Sequence, residues 1–158
     1  MTRSVEVVPG AVTCRVAESP AERLVHHRIR HQVFVLEQGL FFPDDRDPTD
    51  EDPETVHVLG YHGETPVGAV RLYPLGDLGW WKGDRLAVLP AFRAHHVGAP
   101  LVRFAVAHAG SQGGRTMMAQ IQPQNVAMFE RLGWRSVGEI APYAGRPHQQ
   151  MAIDLSPP

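Results

Sequence analysis

Apolar and polar positions alternate in Val5-Glu-Val-Val8 and again in Val12-Thr-Cys-Arg-Val16, a period of two that predicts an opening strand broken at Pro9-Gly10. The period then changes. Ser19-Pro-Ala-Glu22 has the form of a capping box with proline at the first helical position, and Leu24, Val25, Ile29, Val33 and Leu36 recur at helical spacing. A helix is therefore expected from about residue 20 to residue 37, with Gly39 ending it. Residues 43–54 are polar, carry prolines and show no period, which predicts a loop with at most one helical turn. Two strands follow, residues 56–62 and 66–73, and the short Gly63-Glu-Thr65 link makes them a hairpin. Residues 75–83, punctuated by glycine and carrying Trp80 and Trp81, are expected to connect to a strand over residues 84–89. A helix from about Gly98 to Gly110 comes next, then a Gln112-Gly-Gly114 turn, and residues 116–155 supply strand, short helix, strand, turn and last strand, before a frayed tail at residues 156–158. Antiparallel strands followed by strand, helix, strand, helix and strand predict an α/β fold, a mixed sheet with helices on both faces.

Length and composition narrow this picture. A chain of 158 residues suits one domain, residues 1–158, with a core that needs neither metal nor bridge. The one cysteine, Cys14, has no intrachain partner, no apolar leader precedes the first strand, and no apolar run reaches the length of a membrane span, which together point to a soluble, cytoplasmic protein. A net charge of -2 argues against general nucleic-acid binding. The charge is uneven, however: residues 43–54 hold seven of the seventeen acids and a single base. Such a segment either draws a cationic acceptor or is a solvated loop.

The chemistry concentrates where the strand at residues 84–89 meets Pro90, turns through residues 93–98 and opens a helix. That arrangement aims free backbone N–H groups and the positive end of the helix dipole at one point, which favours an anion. Arg93-x-x-His96-x-Gly98 resembles the pyrophosphate-binding loop of the GNAT superfamily of acyl-CoA N-acyltransferases, Gln/Arg-x-x-Gly-x-Gly/Ala. Asn125-Val-Ala-Met-Phe-Glu-Arg-Leu-Gly-Trp134 resembles the family's second signature. Arg30-His-Gln-Val-Phe-Val-Leu-Glu-Gln38 and Tyr143-Ala-Gly-Arg-Pro-His-Gln-Gln-Met151 are similar to the first-helix ending and last hairpin of one GNAT branch.

The resemblance implies a central, mostly antiparallel sheet whose fourth and fifth strands are parallel and splay apart, with acetyl-CoA as cosubstrate and no metal. It assigns Leu86, Ala87 and Val88 to the pantetheine arm, and Arg93, Ala94, His95, His96, Val97, Gly98 and Ala99 to the pyrophosphate. Gln122, Asn125 and Phe129 join the cofactor side. Glycine usually stands where this chain has His96, a departure that a right-handed backbone there would accommodate by turning the side chain away. Phe129 occupies the position of the family's usual tyrosine acid, and phenylalanine has no proton to give. Protonation of the thiolate by water, protonation by Tyr143, and binding of acyl-CoA without turnover all stay open.

The acceptor amine needs a base. Some GNAT enzymes carry it four residues before the position of Val88, which is Asp84 here. Strand alternation puts Asp84, Leu86 and Val88 on one face and Arg85 and Ala87 on the other, although Lys82-Gly83-Asp84 also reads as a turn. His148, His57 and Glu37 are the other candidates, and Asp84, Tyr143 and His148 are taken as the catalytic set. Trp80 and Trp81 form a wall of the acceptor pocket or pack in the core. His27 and His31 share a helix face without a third ligand at a recognisable spacing, so no metal is expected. The acceptor is expected to be a small-molecule amine, with no nucleic acid and no membrane as partner, and monomer and homodimer are both open. Two rival functions stand beside acetyl transfer: a catalytically silent acyl-CoA sensor, and an autoinducer-synthase-like acyltransferase, to which Arg30-x-x-Val-Phe34 points.

Overall fold

The computed structural model describes residues 10–155, so the strand expected at residues 5–8 and the tail at 156–158 lie outside them. Strand β1 (Val12–Val16) leads to α1 (Pro20–Arg30), whose start is the expected capping box: the Ser19 hydroxyl accepts from the Glu22 N–H, and the Glu22 carboxylate accepts from the Ser19 N–H. From His31 to Glu37 the helix continues as a wider π-helix, and Gly39 ends it in the left-handed region. After a 3-10 turn at Pro48–Glu51, β2 (Val56–His62) and β3 (Thr65–Pro74) form the hairpin. Then come β4 (Trp80–Val88), a 3-10 turn (Pro90–His95), α2 (Gly98–Ser111), β5 (Thr116–Ile121), α3 (Val126–Arg131), β6 (Arg135–Ser136), β7 (Ala141–Tyr143) and β8 (Arg146–Asp154).

The sheet order is β1-β2-β3-β4-β5-β8-β6, with β7 paired to the start of β8. Neighbours are antiparallel except β4 and β5. Helix α1 covers one face, where Ile29, Val33 and Phe34 pack on Leu59, Ala69 and Ala87. Helices α2 and α3 cover the other, where Leu101, Val102 and Phe129 pack with Val70, Leu72 and Met117. At Gly68 α2 lies so close to β3 that a Cβ would stand 2.8 Å from Leu101 and 2.9 Å from Val97, so only glycine admits the helix at this depth.

Two expectations about β4 are corrected. The strand starts at Trp80, because residues 80–82 already pair with β5, Trp81 and Lys82 pair with β3, and the Trp80 carbonyl accepts from the Leu75 N–H. Trp81 is therefore a buried core residue and Trp80 projects from the opposite face; neither lines the cavity between the strands. The alternation along β4 also breaks. Arg71 pairs with Asp84 and Ala69 with Ala87, so two residues of β3 span what takes three steps on β4. A bulge at Arg85, whose φ is 54°, absorbs the difference. It places Asp84 and Ala87 on the α1 face, whereas Leu86 and Val88 pack toward α2. Asp84 thus does not share a face with Leu86 and Val88.

Candidate active site

Strands β4 and β5 pair only at Trp80 with Thr116, Trp81 with Met117 and Lys82 with Met118. Beyond that point both continue without a ladder between them, and a narrow cavity of about 80 Å³ fills the wedge. Backbone N–H and C=O groups along this wedge want partners. Leu86 and Asn125 line both the narrow cavity and a wider cleft of about 690 Å³, whose walls include Ala87, Val88, Arg93, His96, Gly98 and Ala99. Eight of the thirteen residues assigned to the cofactor therefore meet at one cleft. Gln122 and Phe129 line the narrow cavity instead, and Gln122 donates to Gln38 across its mouth at 2.9 Å. Val97 is buried in the core, while Ala94 and His95 are exposed on the turn, His95 packing on His62 with ring centres 4.4 Å apart. Two residues the motif reading missed, Arg103 of α2 and Arg131 of α3, also line the wide cleft and bring positive charge to it.

Arg93 is fixed rather than free. It donates to the Val88 carbonyl at 3.2 Å and, through both terminal nitrogens, to Glu37 at 2.6 and 2.5 Å. That fork holds the Glu37 carboxyl below the usual carboxylate range and makes Glu37 an anchor of the loop. His96 has φ 55° and ψ 47°, so the backbone is left-handed there, not right-handed. This is the conformation that favours glycine, and histidine adopts it at a cost of about 1–2 kcal/mol.

On the other side of the wedge, Asp84, Tyr143, His148 and Phe129 line the narrow cavity together. The Asp84 carboxylate is held by Arg71 at 2.8 and 2.7 Å and accepts from Tyr73 at 3.4 Å, which leaves little of it for proton abstraction. His148 differs. Its Nδ1 lies 2.8 Å from the Arg146 carbonyl, an acceptor only, so Nδ1 carries the hydrogen and Nε2 keeps its lone pair. The Tyr143 ring stacks edge-on at 5.2 Å, and its oxygen accepts from Lys82 at 3.5 Å, leaving its own O–H to donate elsewhere. Phe129 is buried edge-on to Trp134 at 5.1 Å.

Residues 22–134 match the model of the acetyltransferase (GNAT) family. The chain belongs to the GNAT acetyltransferase family. It is similar to the uncharacterized N-acetyltransferase YjcF of Bacillus subtilis, with 32% identity over 80% of this chain and 88% of that protein. In fold it is similar to Escherichia coli ElaA, with a TM-score of 0.79 and 22% identity over 90% of this chain and 99% of ElaA. An aminoglycoside 6'-N-acetyltransferase solved with coenzyme A gives a TM-score of 0.70 at 17% identity, covering 94% and 98%. The protein is accordingly an acyl-CoA-dependent N-acetyltransferase of the GNAT fold. No helix among its described residues is long and apolar enough to cross a membrane.

In this GNAT chain the acidic segment is built partly into the protein and partly exposed. Asp45 and Asp50 are buried, and with Asp47 and Asp84 they pair with Arg30, Arg71 and Arg85 at 2.7 to 3.3 Å. Three of the segment's seven acids are therefore neutralised by internal arginines, while Asp44, Glu51, Asp52 and Glu54 stay exposed at the surface. His57 joins the network at 2.9 Å from Asp50 and stands behind the sheet, away from both clefts. Burial alone would raise the Asp50 carboxyl, but hydrogen bonds from His57 and Arg30 and the charges of Arg30 and Arg71 outweigh it and hold the group well below the usual range.

Burial pushes the His27 imidazole down to about 4, with Arg30 and Arg46 adding to the effect, and burial holds His26 well below 6.5 despite its bond to the Val70 carbonyl. Below about pH 6.5 the unfolded chain protonates these rings while the folded chain does not, so the unfolded state binds more protons and stability falls as pH drops toward 4. Urea denaturation between pH 7.5 and 4.5, with a chelator present, should show this decline, and His27→Gln should flatten it. A wild-type profile without slope over this window would contradict the burial of these rings.

Proposed function

We propose that this enzyme transfers the acetyl group of acetyl-CoA to a small-molecule amine by direct attack in a ternary complex, with His148 as the base and Tyr143 as the acid, within one domain. The observation that carries the reading is the His148 tautomer, which leaves a basic Nε2 on a ring lining the cavity. In this reading the pyrophosphate sits on the loop amides from His96 to Ala99 at the start of α2, and Arg103 and Arg131 add charge complementarity. Pantetheine enters the wedge and satisfies the unpaired edge of β4 beside Leu86 and Val88. The narrow cavity suits a short acyl group, which favours acetyl transfer over the long-chain chemistry of an autoinducer synthase.

The amine gives a proton to His148 Nε2 and attacks the thioester carbonyl carbon. The C–S bond breaks, the thiolate takes the Tyr143 hydroxyl proton, and the proton held by His148 then leaves to restore Tyr143. Asp84 is a structural partner of Arg71 in this scheme. Thiol release with acetyl-CoA and a panel of small amines tests the whole reading: amine-dependent turnover supports it, and tight CoA binding without turnover for any amine would favour the sensor alternative.

Loop occupancy has its own test. A Cβ on Gly98 would meet only Met128, at 3.6 Å and beyond, so Gly98→Ala should fold normally. Gly98→Leu reaches further into the cleft, and should weaken acetyl-CoA binding by about 1–3 kcal/mol by calorimetry as amide contacts are lost. Unchanged affinity in Gly98→Leu would move the pyrophosphate elsewhere.

A further inference from the structure

Charge on the acceptor side of the transfer cavity is unevenly matched. Asp84 is the one acid on the cavity wall among the described residues, and Arg71 and Tyr73 already hold its oxygens. Three cations reach the same region. Lys82 Nζ stands 3.5 Å from the oxygen of Tyr143, which lines the cavity, and 5.1 Å from the centre of that ring. Arg146, opposite Tyr143 in the β7–β8 hairpin, donates to the Gln38 carbonyl at the mouth. Among the described residues no carboxylate pairs with Lys82 or Arg146 within 4.0 Å. Arg85 lies on the wall itself, over the Phe41 ring at 4.3 Å. Its Nε and Nη2 are engaged by Asp45 and Asp47, while Nη1 comes only to 3.8 Å from Asp84, beyond hydrogen-bond reach.

Lys82 is half-buried, and an ammonium drawn partly out of water beside a neutral phenol still favours an opposite charge. The other end of the acceptor is set by the base. The Tyr143 ring centre lies 5.2 Å from that of His148, so imidazole and ammonium are no more than about 10 Å apart. With a hydrogen bond of about 3 Å at each end, a ligand lying between them has about 3–4 Å between its amine nitrogen and the atom that meets Lys82. That is the separation of amine and carboxylate in an α-amino acid. A second amine at the same spot would meet Lys82 as a like charge, which disfavours diamines and polyamines. Phe34, Leu40 and Phe41 give this side of the cavity an apolar wall, complementary to an apolar side chain.

We propose that the acceptor is an α-amino acid with an apolar side chain, its carboxylate paired with Lys82 and its amine presented to His148. The inference rests on the transfer described under the proposed function: the same N–C bond forms and the same C–S bond breaks, and the product is an N-acetyl amino acid. Initial rates are measured with acetyl-CoA and L-alanine, L-leucine or L-phenylalanine, each beside its primary amide and its decarboxylated amine. In wild type the preferred acid should exceed its amide tenfold or more in kcat/KM. Lys82→Met breaks no ion pair, so it should fold as wild type and cut that preference tenfold or more, mainly through KM for the acid, and Lys82→Arg should keep most of it. Comparing the preference between proteins cancels the different basicities of the two amines. If Lys82 acts only through Tyr143, both rates fall alike and the preference stays, which overturns the proposal. Amides that match their acids in wild type overturn it too, as does turnover of decarboxylated amines without turnover of any amino acid, while both leave acetyl transfer standing. If no amine turns over, acetyl transfer itself fails and binding decides. With CoA saturating, an acid and not its amide should then raise melting by about 3–6 °C at about 10-fold above Kd, an effect lost in Lys82→Met, and no such difference overturns the proposal.

Discussion

Replacing Arg71 with methionine should lower the folding stability by about 3–5 kcal/mol, the usual consequence of removing one member of a buried ion network and leaving its partners uncompensated. Arg71 is fully buried, donates to both Asp47 and Asp84 through paired nitrogens at 2.7 to 3.1 Å, and stands 3.2 Å from Asp50. Methionine fills much of the same volume, so the loss comes from three stranded carboxylates rather than a cavity. Thermal melting should fall by about 6–20 °C, and urea denaturation should report the free energy directly. Lysine should rescue only part of the loss, because a point charge cannot replace two forked contacts. A methionine variant that melts with wild type would mean that the network contributes nothing to the fold.

The largest effect on rate is expected at His148. His148→Gln should lower kcat by about 10²- to 10⁴-fold while acetyl-CoA affinity and melting temperature stay close to wild type, because the change removes a base without emptying the cavity. Asp84→Asn makes the useful contrast: it breaks one arm of the Arg71 network, so any loss of rate should come with a lower melting temperature. Tyr143→Phe separates the acid from the base, since it should lower kcat with acetyl-CoA and be relieved by an acetyl thioester whose thiolate leaves without protonation. Full activity in His148→Gln would return the base to Asp84 or to water.

Much of this architecture was legible before any coordinates. The capping box at Ser19 and the hairpin about Gly63 follow from periodicity and turn residues, because each is encoded within a short stretch of chain, whereas the parallel pair of strands with its wedge is implied only by the family resemblance that the signatures carry. What stayed hidden depends on tertiary partners or on a single backbone angle. The acids at residues 45–50 look solvated in sequence, since the arginines that bury them stand at positions 30, 71 and 85 on separate elements. The rings that face His27 are likewise out of sight, because His57 on β2 meets α1 only in the fold. The facing of Asp84 was misread because alternation assumes an unbroken pleat, and an arginine at φ 54° gives no glycine-like signal of the bulge. His96 was misread for a similar reason: the family position was recognised, but the side chain there says nothing about the sign of φ.

The bulge at Arg85 has a consequence for how such an enzyme changes over time. One surplus residue divides β4 into two reading frames: upstream of it even-numbered side chains such as Asp84 face the α1 side and the ion network, and downstream the phase is reversed, with Ala87 on that side and Leu86 and Val88 on the other. Substitutions on the upstream half can then be made without shifting the pleat that presents Leu86 and Val88. Deletion of Arg85 would close the bulge and leave every other side chain on its present face, whereas a deletion elsewhere along the strand would exchange the faces only of the residues between the cut and the bulge. The surplus residue is thereby the one place where this strand can change length without exchanging its two faces.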